Sequence, residues 1–198
     1  MARDRELRLG TRGSRLALWQ ANAVATRLAE QRAPPCRIVV IKTSGDRLQE
    51  APLSDAGGKR LFVKEIEDAL QRGEIDLAVH SSKDLPVDLA DGLLVGAVLP
   101  REDPRDAMVL PARAPDAVQG SGLESIEELR AALGPTPSVG TSSVRRVAQL
   151  ARVFAGARFL HIRGNIDTRL RKLDEGQYSA SCSPRPDYGA WDSRRASP

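Results

Sequence analysis

An apolar run over residues 77–80 stops at two serines, and Lys83, Asp84 and then Pro86 follow. A cation and a carboxylate are thus released together at what reads as the carboxyl end of a strand. In α/β proteins ligands are met at that end, which makes the pair a candidate reaction centre. Read alone, Lys83 and Asp84 are also what a solvated turn looks like. The residues elsewhere in the chain change that balance.

Three further segments combine small residues, hydroxyls and arginines just after a predicted strand and at or before a predicted helix: residues 11–14 with Arg12 and Ser14, residues 140–146 with Thr141, Ser143, Arg145 and Arg146, and residues 163–169 with Arg163 and Arg169. Exposed backbone N–H groups, a helix dipole and guanidinium forks suit carboxylates or phosphates. Singly each is weak, since Ser142 and Ser143 read equally as helix caps and Arg145 as a surface residue. Together with Lys83 and Asp84 they predict an interdomain cleft that holds a polyanion. Gly57-Gly58-Lys59 lacks the P-loop spacing, and no dinucleotide fingerprint or nucleophile elbow occurs. His80 and His161 each close an apolar run and read as packed imidazoles rather than ligands, and Cys36 and Cys182 have no metal-ligand spacing, so no metal is expected.

The elements that must carry these residues alternate between strand and helix patterns. Strands are predicted at residues 7–10, 38–42, 76–80 and 93–99, with helices at 14–28 and 61–71, the latter ended by Gly73. Four strands with two helices predict a mostly parallel sheet. A charged, proline-containing stretch at 100–104 marks a boundary, after which strands at 107–110, 138–140 and 158–162 and helices at 125–133, 143–154 and 165–173 predict a second α/β unit. The expected domains are residues 1–100, 101–178 and a proline-rich, poorly ordered tail at 179–198.

The 198 residues carry 30 basic and 26 acidic side chains, a net +4 that is too weak to argue for nucleic acid. Between Ser142 and Lys172, however, eight basic residues face one acid, Asp167, which is a local anion-facing surface. Aromatic residues make up 4% and do not alternate with the basic ones, against a single-strand platform. A charged N-terminus and the absence of any long apolar stretch predict a cytoplasmic protein without a membrane span.

With these motifs in this order, the chain resembles the porphobilinogen deaminase (hydroxymethylbilane synthase) family. The resemblance is carried by residues 9–20 (Leu-Gly-Thr-Arg-Gly-Ser-Arg-Leu-Ala-Leu-Trp-Gln), 42–46, 57–65 (Gly-Gly-Lys-Arg-Leu-Phe-Val-Lys-Glu), 79–86, 140–146 and 163–176. It implies two periplasmic-binding-protein-like α/β domains around a cleft, and a monomeric transferase that joins four porphobilinogen units into hydroxymethylbilane with release of ammonia, on a dipyrromethane cofactor tied to a cysteine. Asp84 then matches the catalytic aspartate, whose carboxylate can accept pyrrole N–H bonds and assist proton transfer. Lys83, Thr141, Ser143, Arg145 and Arg146 match the cofactor-binding set. Arg12, Ser14, Arg163 and Arg169 match residues serving the pyrroles, and Lys59 and Phe62 a loop that closes over the site.

The resemblance breaks near Tyr178. The family's buried strand, its further substrate arginine and its third domain with the cofactor cysteine are not legible, and Cys182 has neither the context nor the position of that cysteine. Back-translation in a shifted frame yields the family's continuation, which predicts a frameshift near Tyr178 or Ser179, an incomplete second sheet and a catalytically inactive chain. The competing reading is a two-lobed module that binds carboxylates without turnover. Asp84 argues against it, because a negative charge among anion-binding arginines weakens anion affinity and makes sense for chemistry on a cationic intermediate.

Overall fold

A computed structural model describes residues 6–47, 61–112, 123 and 125–185, and the chain divides into two compact units at Pro100. In the first unit, strands β1 (Leu7–Thr11), β2 (Cys36–Val40) and β3 (Leu77–Ala78) form a parallel sheet in the order β2-β1-β3. Leu9 of the central strand pairs with Ile38 on one side and Leu77 on the other. Helix α1 (Arg15–Glu30) connects β1 to β2, and α2 (Ser44–Arg47) and α3 (Lys64–Gln71) lie between β2 and β3. Ile66 and Ala69 of α3 are buried with Ile75, and Val39, Ile41, Leu70 and Ala78 pack around them. Gly10 is required by this packing, because a Cβ there would stand 2.3 Å from Ile75. Gly73 has φ +67°, and the Gly73 and Glu74 N–H groups donate to Leu70 and Ala69, a Schellman stop for α3.

In the second unit, β4 (Asp106–Val109), β5 (Ser138–Gly140), β6 (Arg158–Leu160) and β7 (Ala180–Pro184) form a sheet in the order β4-β7-β5-β6. Helices α4 (Ile126–Leu133), α5 (Val144–Val153) and α6 (Ile166–Asp174) connect them. Ile162, Leu173 and Tyr178 form the core, with Val109 against it, and the Tyr178 hydroxyl donates to the His161 carbonyl at 2.9 Å.

Two expectations are corrected. The tail does not lose order at Ser179: residues 180–184 are an interior strand, parallel to β5 and antiparallel to β4, with Ala180, Ser181, Cys182 and Ser183 all buried. Small residues fit a strand covered on both faces, and its stability comes from two hydrogen-bond ladders rather than from apolar alternation, so no hydrophobic period announces it. Residues 186–198 lie outside the described residues. Conversely, residues 93–99 form no strand, and Leu94, Val95, Val98 and Leu99 stand exposed. An apolar run has strand potential, but only a partner's ladder makes a strand. The parallel sheet expected of four strands in the first unit therefore has three among the described residues.

Candidate functional site

Because β1, β2 and β3 run parallel, their carboxyl ends share one edge of the first unit, where residues 11–14, 41–46 and 79–84 leave the sheet. A single 3-10 turn, Ser82–Asp84, carries the opening pair, with Lys83 exposed and Asp84 half-buried. The Asp84 N–H donates to the Ser81 carbonyl at 2.9 Å. The Ser81 hydroxyl exchanges hydrogen bonds of 3.0 and 3.1 Å with the Gln20 amide of α1, which ties the turn to the helix. Beside it, burial pushes the His80 imidazole below its ordinary value, and Arg12 adds to that, while Asp84 and Glu67 pull the other way without prevailing. His80 is therefore neutral at pH 7 and lies within the electrostatic reach of both Arg12 and Asp84.

Arg12 leaves β1 and donates through Nε and Nη2 to Asp46 Oδ1, at 3.1 and 2.6 Å, with its guanidinium 4.2 Å from the Phe62 ring centroid. The other carboxylate oxygen of Asp46 accepts from the hydroxyl and N–H of Thr43 at 2.8 and 3.3 Å. Burial raises the Asp46 carboxyl, but the hydrogen bonds from Arg12 and Thr43 outweigh it and hold the group below the usual carboxylate range. Phe62 lies over Gly45, where a Cβ would come within 2.2 Å of the ring. Ser44 fixes the loop to α3, its N–H donating to Glu65 Oε1 at 2.8 Å and its hydroxyl to the same oxygen. Ser14 caps α1 by accepting from the Ala17 N–H.

In the second unit the carboxyl ends of β5, β6 and β7 share an edge with the start of the antiparallel β4. Ser143 caps α5, accepting from the Arg146 N–H, and the buried Thr141 hydroxyl accepts from the Ser143 N–H. Ser142 donates to the Ile162 carbonyl at 2.7 Å, joining the β5 and β6 loops. Arg146 is mostly buried and donates to Asp106 Oδ1 at 2.8 Å, whereas Arg145, 64% exposed, reaches the same carboxylate only at 3.7 Å. The hydrogen bond from Arg146 keeps the Asp106 carboxyl below its ordinary value against the opposing effect of burial. Arg169 donates to the Gly164 carbonyl at 2.9 Å and to Ser183 at 3.4 Å, and Arg163 is half-buried alongside. Gly164, at φ +103°, turns the chain into α6.

The structure thus gathers Arg12, Phe62, Lys83 and Asp84 at one edge of the first unit, and Thr141, Ser143, Arg145, Arg146, Arg163 and Arg169 at one edge of the second. Lys59 lies outside the described residues. The two carboxylates that hold the arginines were not foreseen. Thr43 and Asp46 have capping-box spacing, which could have flagged Asp46; Asp106 has no local signal, because the antiparallel pairing of β4 brings it to Arg146. The Cys182 thiol is raised by burial and by Asp106, and it belongs to the interior of β7. Among the described residues no group of three or more His, Cys, Asp or Glu could hold a metal, and no helix is long and apolar enough to cross a membrane.

Solved structures with a similar chain path include an ancestral arginine-binding protein bound to arginine, 16% identical with a TM-score of 0.43 over 96% of this chain and 75% of that one. Residues 7–182 match the model of a family described as porphobilinogen deaminase, dipyrromethane cofactor-binding domain, so the match runs into β7. Porphobilinogen deaminase of Pelobacter propionicus is 48% identical over 178 residues, 89% of this chain and 52% of that protein. The porphobilinogen deaminase of Nitrobacter hamburgensis is 49% identical over 176 residues, 87% and 51% of the respective lengths. The chain spans about half the length of the curated relatives it matches, and by these matches it belongs to the porphobilinogen deaminase family.

Proposed function

We infer that this chain supplies the anion-binding loops and the catalytic carboxylate of an enzyme that condenses porphobilinogen units into hydroxymethylbilane with release of ammonia. The observation that carries the reading is the position of Asp84: a half-buried carboxylate on a turn fixed to α1, at the same strand edge as Arg12. A pyrrole that loses an aminomethyl nitrogen becomes electron-poor, and positive charge gathers on its ring N–H. A carboxylate held in place accepts that N–H and takes up a proton without reorganising. Acetate and propionate side chains of the pyrrole call for guanidinium forks, and Arg12, Arg163 and Arg169 are the residues assigned to them.

Dipyrromethane, the cofactor of the matched family domain, is itself a carboxylated pyrrole pair. The residues of the second unit fit such a group: α5 has no acid in its first turn, its dipole and hydroxyls face the loop, and the exposed Arg145 guanidinium can leave its long contact with Asp106. Thr141, Ser143, Arg145 and Arg146 would hold its carboxylates. When bound, the group supplies the primer to which further pyrroles are added. The two cysteines do not suit its covalent attachment, since Cys182 is buried with a raised thiol and Cys36 begins β2, at the sheet edge opposite Asp84. Turnover by residues 1–198 alone is therefore not expected.

The test is a chimera in which residues 7–178 replace the matching half of the Pelobacter propionicus relative. The chimera is expected to consume porphobilinogen, and Asp84→Asn to lower kcat by about 10²-fold or more with KM little changed. An Asp84→Asn chimera that retains turnover within about tenfold would remove Asp84 from the chemistry.

A further inference from the structure

We propose that Asp46 is a positioning residue that holds Arg12 by one edge so that its other edge stays aligned for a ligand carboxylate. The inference rests on the reading of Arg12 as a pyrrole-carboxylate ligand. A guanidinium offers two hydrogen-bonding edges, Nε with Nη2 and Nη1 with Nη2. Both bonds to Asp46 use the first edge and end on one oxygen, Oδ1. Among the described residues no contact takes the second edge. Phe62 stacks on the face of the same group, and Gly45 leaves the room for that ring.

Asp46 is in turn immobilised through its other oxygen. Thr43, which is fully buried, holds Oδ2 by its hydroxyl and N–H, and the Asp46 N–H lies 3.3 Å from the Thr43 hydroxyl. A rigid chain of contacts therefore runs from the core through Thr43 and Asp46 to Arg12. The side chains of Arg12 and Asp46 are only 16% and 15% exposed, so solvent competes weakly for the pair. An arginine fixed along one edge and one face has lost most of its rotamer freedom before a ligand arrives, and less entropy is lost on binding. His80 feels the charges of both Arg12 and Asp84, so the fixed guanidinium lies within the electrostatic neighbourhood of the carboxylate assigned to chemistry.

The test combines a side-chain measurement with a double-mutant cycle on the 198-residue chain. In ¹⁵N spectra the Arg12 Nε–H is expected to be sharp and slowly exchanging in the wild type and to broaden into fast exchange in Asp46→Asn. Thr43→Val, which removes only the hydroxyl holding Asp46, is expected to shift the same signal in the same direction by less. Titrated with porphobilinogen, Arg12→Ala and Asp46→Asn each weaken binding about tenfold, and the double variant is no weaker than Arg12→Ala alone. An unchanged Arg12 Nε–H signal in both Asp46→Asn and Thr43→Val overturns the proposal, even if porphobilinogen binding is too weak to titrate. Additive weakening in the double variant also overturns it, as does tighter binding by Asp46→Asn, which would make Asp46 a competitor for Arg12. Binding unaffected by Arg12→Ala overturns instead the assignment of Arg12 as a ligand.

Discussion

At the scale of single residues, the arginine-bearing edges of both units share one device: an internal carboxylate takes part of an arginine cluster and orders it. Asp46 does this for Arg12, and Asp106 for Arg146 with a looser hold on Arg145. The Arg12 and Arg146 side chains are shielded from solvent, so removing either one's partner leaves a poorly hydrated charge and costs more than a surface ion pair would. His80 carries a distinct signature. Its imidazole is held below 6.5 in the folded chain, so as pH falls through that value the unfolded chain takes up a proton that the folded chain does not. Stability must then decline on the acid side of neutrality. Urea unfolding at pH 7.5 and 5.5 should show this decline, and His80→Asn should flatten it. An unchanged slope in the variant would assign the pH dependence to other groups.

At the scale of elements, α1 ends differently from α3. Its Schellman stop has Arg32 rather than glycine in the left-handed conformation, at φ 56°, with the Arg32 and Ala33 N–H groups donating to Ala29 and Leu28. A side chain at that position is strained where glycine is not. Arg32→Gly is expected to raise stability by about 0.5–1 kcal/mol, measured by thermal or urea unfolding; a loss would mean that the arginine makes a compensating contact. The apolar stretch at 93–99 is the converse case, an element foreseen but not formed. With Leu94 and Val98 each 79% exposed, replacing both with lysine should reduce aggregation and dye binding by residues 1–198 while leaving the melting temperature within about 2 °C. A large fall in melting temperature would show that the stretch packs in solution.

At the scale of the whole chain, sequence motifs and the family match converge on one enzyme family over residues 7–182. Most elements were legible because each has its own local signal. Ser14, Ser125 and Ser143 cap helices where helices were expected to start, Gly73 and Gly176 end helices at positive φ, and β2 follows a β-branched run. The candidate residues Arg12 and Asp84 follow strands, while Arg145 and Arg169 fall in the first turns of the helices that follow strands, positions that local pattern already marks. β7 was not, because a strand of Ala, Ser, Cys, Ser and Pro is built by its neighbours and not by its own pattern. Its pairing is what joins β4 to β5 in the second sheet and brings Ser183 to Arg169 and β4, with Asp106, to Arg146. The sequence by itself determined which residue types stand at which strand ends, since capping, periodicity and turn chemistry act over a few positions. Only the tertiary structure decided which carboxylate holds which arginine, because such pairing depends on strand order and register between segments far apart in sequence, 34 residues for Arg12 with Asp46 and 40 for Arg146 with Asp106.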